Sequence, residues 1–145
     1  KETILFSEID TSTHLESTQR LTLSDQQVFI IDTIGILTKI YSYADIAYVG
    51  GGFETGLHNI LEPATFGVPI IIGPKYKKFK EAIDLVDQGG CFVVHNKEEF
   101  NTKLKCLFTA TNTRLEKGEI TKKFISKNIG ATKIVLDYIN SKISK

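Results

Sequence analysis

Short apolar runs alternate with amphipathic stretches along most of the chain. Thr3-Ile-Leu-Phe6, Val28-Phe-Ile-Ile31, Ile46-Ala-Tyr-Val49, Ile70-Ile-Ile72 and Cys91-Phe-Val-Val94 read as strands, β-branched and bounded by Gly, Pro or Asp. An uninterrupted run such as Val28–Ile31 predicts a strand buried on both faces. Between the strands the apolar positions recur at helical spacing: Ile36, Leu37, Ile40, Tyr41 and Ala44; a helix near 58–66; Phe79, Ala82, Ile83 and Val86; Phe100, Leu104, Leu107 and Phe108. Thr33 is placed to cap the first of these helices. Residues 7–27 are polar and acidic and read as a loop with room for a helical turn. The C-terminal part holds no strand pattern. Phe124, Ile125 and Ile129 mark one helix there, and Ile134, Val135, Tyr138, Ile139 and Ile143 a second.

Alternation of this kind predicts right-handed βαβ units and a Rossmann-like parallel α/β sheet with helices on both faces. One domain over 1–145 accommodates it, with 113–145 as C-terminal helices. Ligands of such sheets lie at the carboxyl ends of the strands. Asp32-Thr33, Gly50–Gly52 and Gly73-Pro74 all fall at those ends.

The densest signal is Tyr48-Val-Gly-Gly-Gly-Phe-Glu-Thr-Gly-Leu-His-Asn-Ile-Leu-Glu-Pro63. A strand runs through a glycine turn into a helix. Gly50, Gly51, Gly52 and Gly56 let backbone approach a ligand, and a helix opening near His58 and Asn59 aims N–H groups at an anion, most simply a phosphate. A bare tight turn uses fewer glycines than this. Glu62, one turn into the helix, is placed to accept both hydroxyls of a ribose; the plainer role is an acid favoured by the helix dipole. Pro63 lacks an N–H and fixes the first turn.

Two familiar nucleotide motifs do not fit. Gly50-x-Gly52-x-x-x-Gly56 is not the dinucleotide spacing, and the next strand ends at Gly73 rather than at an acid. There is no Gly-Lys-Ser/Thr for a phosphate-binding loop. His58 and Glu62 lie four apart with no third ligand in view, so no metal is expected. Cys91 and Cys106 are the only cysteines and read as free thiols.

Composition is that of an ordinary folded chain, with 41% hydrophobic and 24% charged residues and no apolar run long enough to span a bilayer. The net charge of +1 conceals an acidic start and a basic end. Lys75, Lys77, Lys78 and Lys80 form a further basic cluster. Basic segments suit anionic membranes or nucleic acid, but no aromatic–basic interleaving suggests reading of RNA. No Met occurs anywhere, so the chain reads as part of something longer.

The ordered set Asp32-Thr-Ile-Gly35, Tyr43-Ala-Asp-Ile-Ala-Tyr-Val-Gly-Gly-Gly52, Gly56-Leu-His-Asn-Ile-Leu-Glu-Pro63, Phe66-Gly-Val-Pro69, Gly73-Pro74 and Lys78-Phe-Lys-Glu81 resembles the C-terminal half of the 3-deoxy-D-manno-octulosonic acid (Kdo) transferases. The resemblance is dense from Val28 to Val94 and weak outside it. It implies the C-terminal half of a GT-B glycosyltransferase, in which this domain binds CMP-Kdo and an N-terminal domain holds a lipid A precursor and the general base. A strand and helix would precede Thr3–Phe6 in that domain. It implies a transferase of lipopolysaccharide biosynthesis at the cytoplasmic face of the bacterial inner membrane, and a chain inactive by itself, with no catalytic residue of its own. Ile34, Gly35, Gly50, Gly51, Gly52 and Gly56 would face the CMP phosphate. His58 and Asn59 would polarise that phosphate or the sugar carboxylate, Glu62 would hold the ribose, Gly73 and Pro74 would border the cytosine, and Lys78 would add charge where relatives often carry Asn. Ile36 departs from a position that is often Glu, so any polar role there is lost or moved.

Two rival readings stand beside this one: another GT-B glycosyltransferase or an epimerase using a UDP-sugar, and a non-catalytic nucleotide-binding module. The wide stripe on the last helix needs a partner, so the chain is also expected to self-associate.

Overall fold

The computed structural model describes residues 3–8, 28–54 and 56–143. They belong to two compact units, Lys1–Ile40 and Tyr41–Lys145, each described by itself.

The first unit carries β1 (Thr3–Leu5) and β2 (Val28–Ile30), paired in parallel with Thr3 opposite Val28, followed by a short helix α1 (Leu37–Ile40). Burial of β2 on both faces is not what the structure shows: Val28, Phe29 and Ile30 are 38%, 48% and 44% exposed. Among the described residues of the unit, Phe29 meets the edge of Phe6, at 6.1 Å between ring centroids. Thr33 does not cap α1. Gly35, with φ 92°, turns the chain after Thr33, and the first helical bonds run from Lys39 and Ile40 to the Ile36 carbonyl. The helical pattern of 36–44 is divided between α1 and a 3-10 turn at Tyr41–Tyr43. The loop expected over 7–27 lies outside the described residues from 9 onward.

The second unit is built on β3 (Ala47–Val49), β4 (Ile70–Ile72) and β5 (Cys91–Val93), parallel, in the order β3-β4-β5. Ala47 pairs with Ile70, and Ile70 with Cys91. Its helices are α2 (Leu61–Thr65), α3 (Lys80–Asp87), α4 (Lys97–Thr109), α5 (Thr111–Asn128) and α6 (Ala131–Ile143). All strand pairs among the described residues are parallel, and the sequence placed each strand to within a residue.

Three consecutive isoleucines make β4 because both faces of the sheet are covered. Successive strand residues point to opposite sides. Ile70 and Ile72 join Val49, Leu57, Ala64, Leu85 and Phe124, packing against α2, α3 and α5. Ile71 joins Val94 and Leu107 with Phe100 and Leu104 of α4 on the other face. All three isoleucines are 0% exposed. Burying each one contributes about 1.5–3 kcal/mol.

Two polar devices fix the helices. Asn96 caps α4 by accepting from the Glu99 amide at 2.8 Å, while Glu99 accepts from the His95 amide and ring, which holds the Glu99 carboxyl below the usual range. Arg114 donates to the carbonyls of Leu107 and Phe108 and reaches Asp45 at 3.4 Å, tying the α4–α5 corner to the approach to β3. Phe108, expected on the buried face of α4, is 75% exposed just before that corner. The apolar stripe of α6 is open: Ile134 is 71% exposed, Tyr138 64% and Ile143 76%.

Two predictions follow from this packing. Cys91 is buried at the start of β5 and burial pushes its thiol up to about 12, whereas Cys106 is exposed. A thiol-reactive disulfide reagent at neutral pH should therefore modify one thiol of the folded protein and two in denaturant; rapid double labelling of folded protein would refute the buried placement. Gly118 lies within α5, where Ala is normally better by about 1 kcal/mol. Here a Cβ would strike the carbonyl oxygen of Gly67 beyond α2. Overpacking costs about 1–3 kcal/mol, so Gly118→Ala should lower stability by about 1–2 kcal/mol in urea unfolding.

Candidate functional site

The loops after β3 and β4 are interlocked through backbone. Gly52 and Gly73 approach so closely that a Cβ on Gly52 would lie 2.8 Å from the Gly73 nitrogen, and one on Gly73 would lie 2.6 Å from the Gly52 carbonyl carbon. Any side chain at either position separates the loops. The Lys75 amide donates to the Gly52 carbonyl at 2.8 Å and closes the contact. Gly51 has φ 84°, and its carbonyl accepts from the Gly56 amide at 3.0 Å, so the loop after β3 folds back on itself. The His58 amide then bonds to the Gly50 carbonyl at 3.1 Å, and the His58 ring lies against Gly50 and Gly51. That ring is exposed, and among the described residues its nitrogens make no hydrogen bond.

The helix expected to open at His58 opens three residues later. α2 starts at Leu61, because the bond to Gly50 holds His58 in the extended return of the loop. The expected row of free amides is also mostly occupied. Leu61 donates to Asn59 Oδ1 at 3.0 Å, Pro63 has no N–H, and Ala64 donates to Ile60. Asn59 uses its other end as well: Nδ2 donates to Glu62 Oε1 at 2.9 Å. It therefore organises the helix start and aims the Glu62 carboxylate, leaving Oε2 for a ligand. Glu62 is partly buried.

Tyr41 is a neighbour that the sequence did not single out. Its phenol is raised above the usual tyrosine range, first by burial and then by the negative charge of Glu62. Nothing in linear spacing links residues 41 and 62; the fold does.

Beside the glycine loops opens a cavity of about 470 Å³. Gly56 and Pro74 form its walls, and Lys75, Lys77, Lys78 and Glu54 surround it. In the second unit the structure thus joins Gly50, Gly51, Gly52, Gly56, His58 and Gly73 through the loops, places Gly56, Pro74 and Lys78 on the cavity wall, and ties Asn59 to Glu62 at the start of α2, off that wall. Ile34 and Gly35 belong to the first unit, where Ile34 is fully exposed in the turn after Asp32. Asp32 accepts from the amide and hydroxyl of Ser7, which hold its carboxyl below the usual range. No group of three metal-ligating side chains occurs among the described residues. No helix there is long and apolar enough to cross a membrane.

No protein-family model matches the chain. Individual relatives do. The 3-deoxy-D-manno-octulosonic acid transferase of Aquifex aeolicus is 40% identical over 79 residues, 53% of this chain and 22% of that protein. The same-named enzyme of Rickettsia bellii is 31% identical over 133 residues, 90% of this chain and 31% of that protein. That of Rickettsia typhi is 34% identical over 121 residues, 81% and 25% respectively. The chain thus spans between about a fifth and a third of these curated relatives. Among solved structures, the C-terminal CMP-Kdo binding domain of WaaA from Acinetobacter baumannii superimposes with a TM-score of 0.67 at 21% identity, over 85% of this chain and 60% of that one, and so shares the fold. Joined to the ordered motifs at the carboxyl ends of β3 and β4, these matches make the chain similar to a part of the 3-deoxy-D-manno-octulosonic acid transferases.

Proposed function

We propose that this chain is the donor-binding part of a glycosyltransferase that moves Kdo from CMP-Kdo to a lipid A precursor in lipopolysaccharide core biosynthesis. The observation that carries the reading is the Glu62 carboxylate, held by Asn59, the residue that follows the loop return bonded at His58 to Gly50. Its free oxygen can accept ribose hydroxyls, as a nucleotide requires. The likeness to Kdo transferases over most of the chain supports the same reading.

When the glycosidic phosphate bond breaks, negative charge grows on CMP. Preorganised donors facing that charge lower the barrier. His58 is the nearest candidate: its ring rests on Gly50 and Gly51, with nitrogens open to a ligand. Asn59, tied into the start of α2, acts by holding Glu62 rather than by meeting the phosphate. Gly73 and Pro74 border the site where the base would lie. A single phosphate can be met by such groups, so the scheme uses no metal or cofactor.

The full enzyme in this proposal has GT-B architecture. Its other domain faces this one, holds the acceptor and supplies the general base. A lipid acceptor and a cytosolic nucleotide donor put the reaction at the cytoplasmic face of the inner membrane. The chain alone then binds donor without transferring it, and transfer of Kdo by the isolated chain would overturn the division of roles. The open stripe of α6 further favours self-association of the isolated chain, which sedimentation at increasing concentration would reveal.

Replacing Glu62 by Gln removes a charge-assisted acceptor worth about 1.5–3 kcal/mol, so CMP affinity should fall about 10- to 100-fold. Glu81→Gln, in the first turn of α3, should leave it unchanged. Calorimetric titration with CMP and UDP measures both variants; equal losses would reduce Glu62 to a helix-terminal charge, and tighter UDP binding would favour a UDP-sugar enzyme. A ligand-free readout tests the geometry. Glu62→Gln removes the second cause of the raised Tyr41 pKa, so the Tyr41 phenolate should appear at lower pH, identified by difference against Tyr41→Phe. Because the folded pKa exceeds the unfolded value near 10.0, the stability contribution of Tyr41 is present below that pH and is lost as pH rises through the folded pKa. Glu62→Gln should shrink this alkaline loss.

A further inference from the structure

The segment that joins β4 to α3 is fixed at both ends. Its start is clamped by the Lys75 amide on the Gly52 carbonyl. Tyr76 and Phe79 pack against the core cluster beneath it. With these two side chains turned inward, Lys75, Lys77 and Lys78 are left exposed around the cavity beside the glycine loop. The neighbouring Lys80 has a carboxylate, Asp84, at 2.9 Å. Lys75, Lys77 and Lys78 have none within ion-pair distance among the described residues. Glu54 is the one acid on the cavity wall, so the wall has an excess of two positive charges. The cavity ends at the N-terminus of α3, whose N-cap Phe79 offers no side-chain acceptor to the first amides. Everything charged about this space except Glu54 favours an anion.

A nucleotide monophosphate linked to a sugar acid carries two anions. In an octulosonic acid the carboxylate is borne by the carbon that also carries the phosphate ester, so the two anions are immediate neighbours. The site has two adjoining compartments of matching character: the glycine loop with His58, and the lysine-lined cavity, with Gly56 common to both.

We infer that the lysine-lined cavity receives the carboxylate of the donor sugar, so that Lys75, Lys77 and Lys78 set the preference for an acidic sugar; the inference rests on the donor-binding reading above. The phosphate stays on the His58 side. The lysines therefore act on the difference between CMP-Kdo and CMP, and not on CMP itself.

The test compares binding of CMP and CMP-Kdo to the protein, to the triple variant Lys75→Gln, Lys77→Gln, Lys78→Gln, and to the corresponding triple arginine variant. The lysines are exposed, and circular dichroism melts establish that each variant folds. The protein should bind CMP-Kdo more tightly than CMP. The glutamine variant should lose about tenfold or more of its CMP-Kdo affinity while its CMP affinity stays within about twofold, and the arginine variant should keep the preference. Equal losses for both ligands would assign the lysines to the phosphate and overturn the inference. An unchanged preference would make them a solvated surface and overturn it too. Absence of binding of either ligand to the unsubstituted protein would overturn the donor-binding reading itself, and the inference with it.

Discussion

The contact of Gly52 with Gly73 is the constraint on which the site depends. Two loops that follow neighbouring parallel strands meet main chain to main chain, with no room for a Cβ on either side. Parallel pairing of Val49 with Ile72 delivers the two loop starts side by side. The glycines then let them close, and the Lys75 amide locks the result. Every other element of the site takes its place from that contact. The loop after β3 must fold back, which puts His58 against Gly50. The return places Asn59 at the head of α2. The segment after Gly73 must leave outward, which opens the cavity and sends the lysines around it.

The scaffold underneath explains why so short a sheet can hold loops this tightly. β4 is sealed on both faces, and the loops grow from the carboxyl ends of strands whose other residues cannot move without opening a void. α5 reinforces this from the side by packing on α2 through Gly118 and Gly67, so the helix that carries Glu62 is held from its far end. Rigid strands, a glycine contact and a braced helix are three independent restraints on one carboxylate.

The strands were legible because their signal is local. β-branched runs with Gly or Pro at the boundary, such as Ile70–Ile72 before Gly73-Pro74, specify a buried parallel strand without reference to anything distant. The burial of β2 was misread for the converse reason. The apolar run Val28–Ile31 states what the strand tolerates, but whether a layer covers it depends on other elements. The start of α2 was misplaced because polar residues at 58 and 59 resemble a helix opening, while a long-range bond, His58 to Gly50, keeps the first of them extended. Tyr41 was invisible: its link to Glu62 is made in space.

Asn59 shows how the fold can employ a residue otherwise than its place in the motif suggests. Its sequence position suggested contact with a phosphate. In the fold its oxygen takes the Leu61 amide and its nitrogen holds Glu62, so both ends serve the helix start. Occupying those groups removes amides that could have met an anion, and this shifts the burden of charge to side chains. His58 and the lysines after β4 are the cations and donors that remain. A helix N-terminus offers only partial charge, about half a unit, spread over several amides. Lysines offer whole charges that can be placed apart from the phosphate, where a second anion would lie. If the lysines meet the sugar carboxylate as inferred above, the site has exchanged a general phosphate cradle for one that tells a sugar acid from a neutral sugar. Asn59 would make that exchange possible, because its amide nitrogen and oxygen are both taken up within the helix start, by Glu62 and by Leu61.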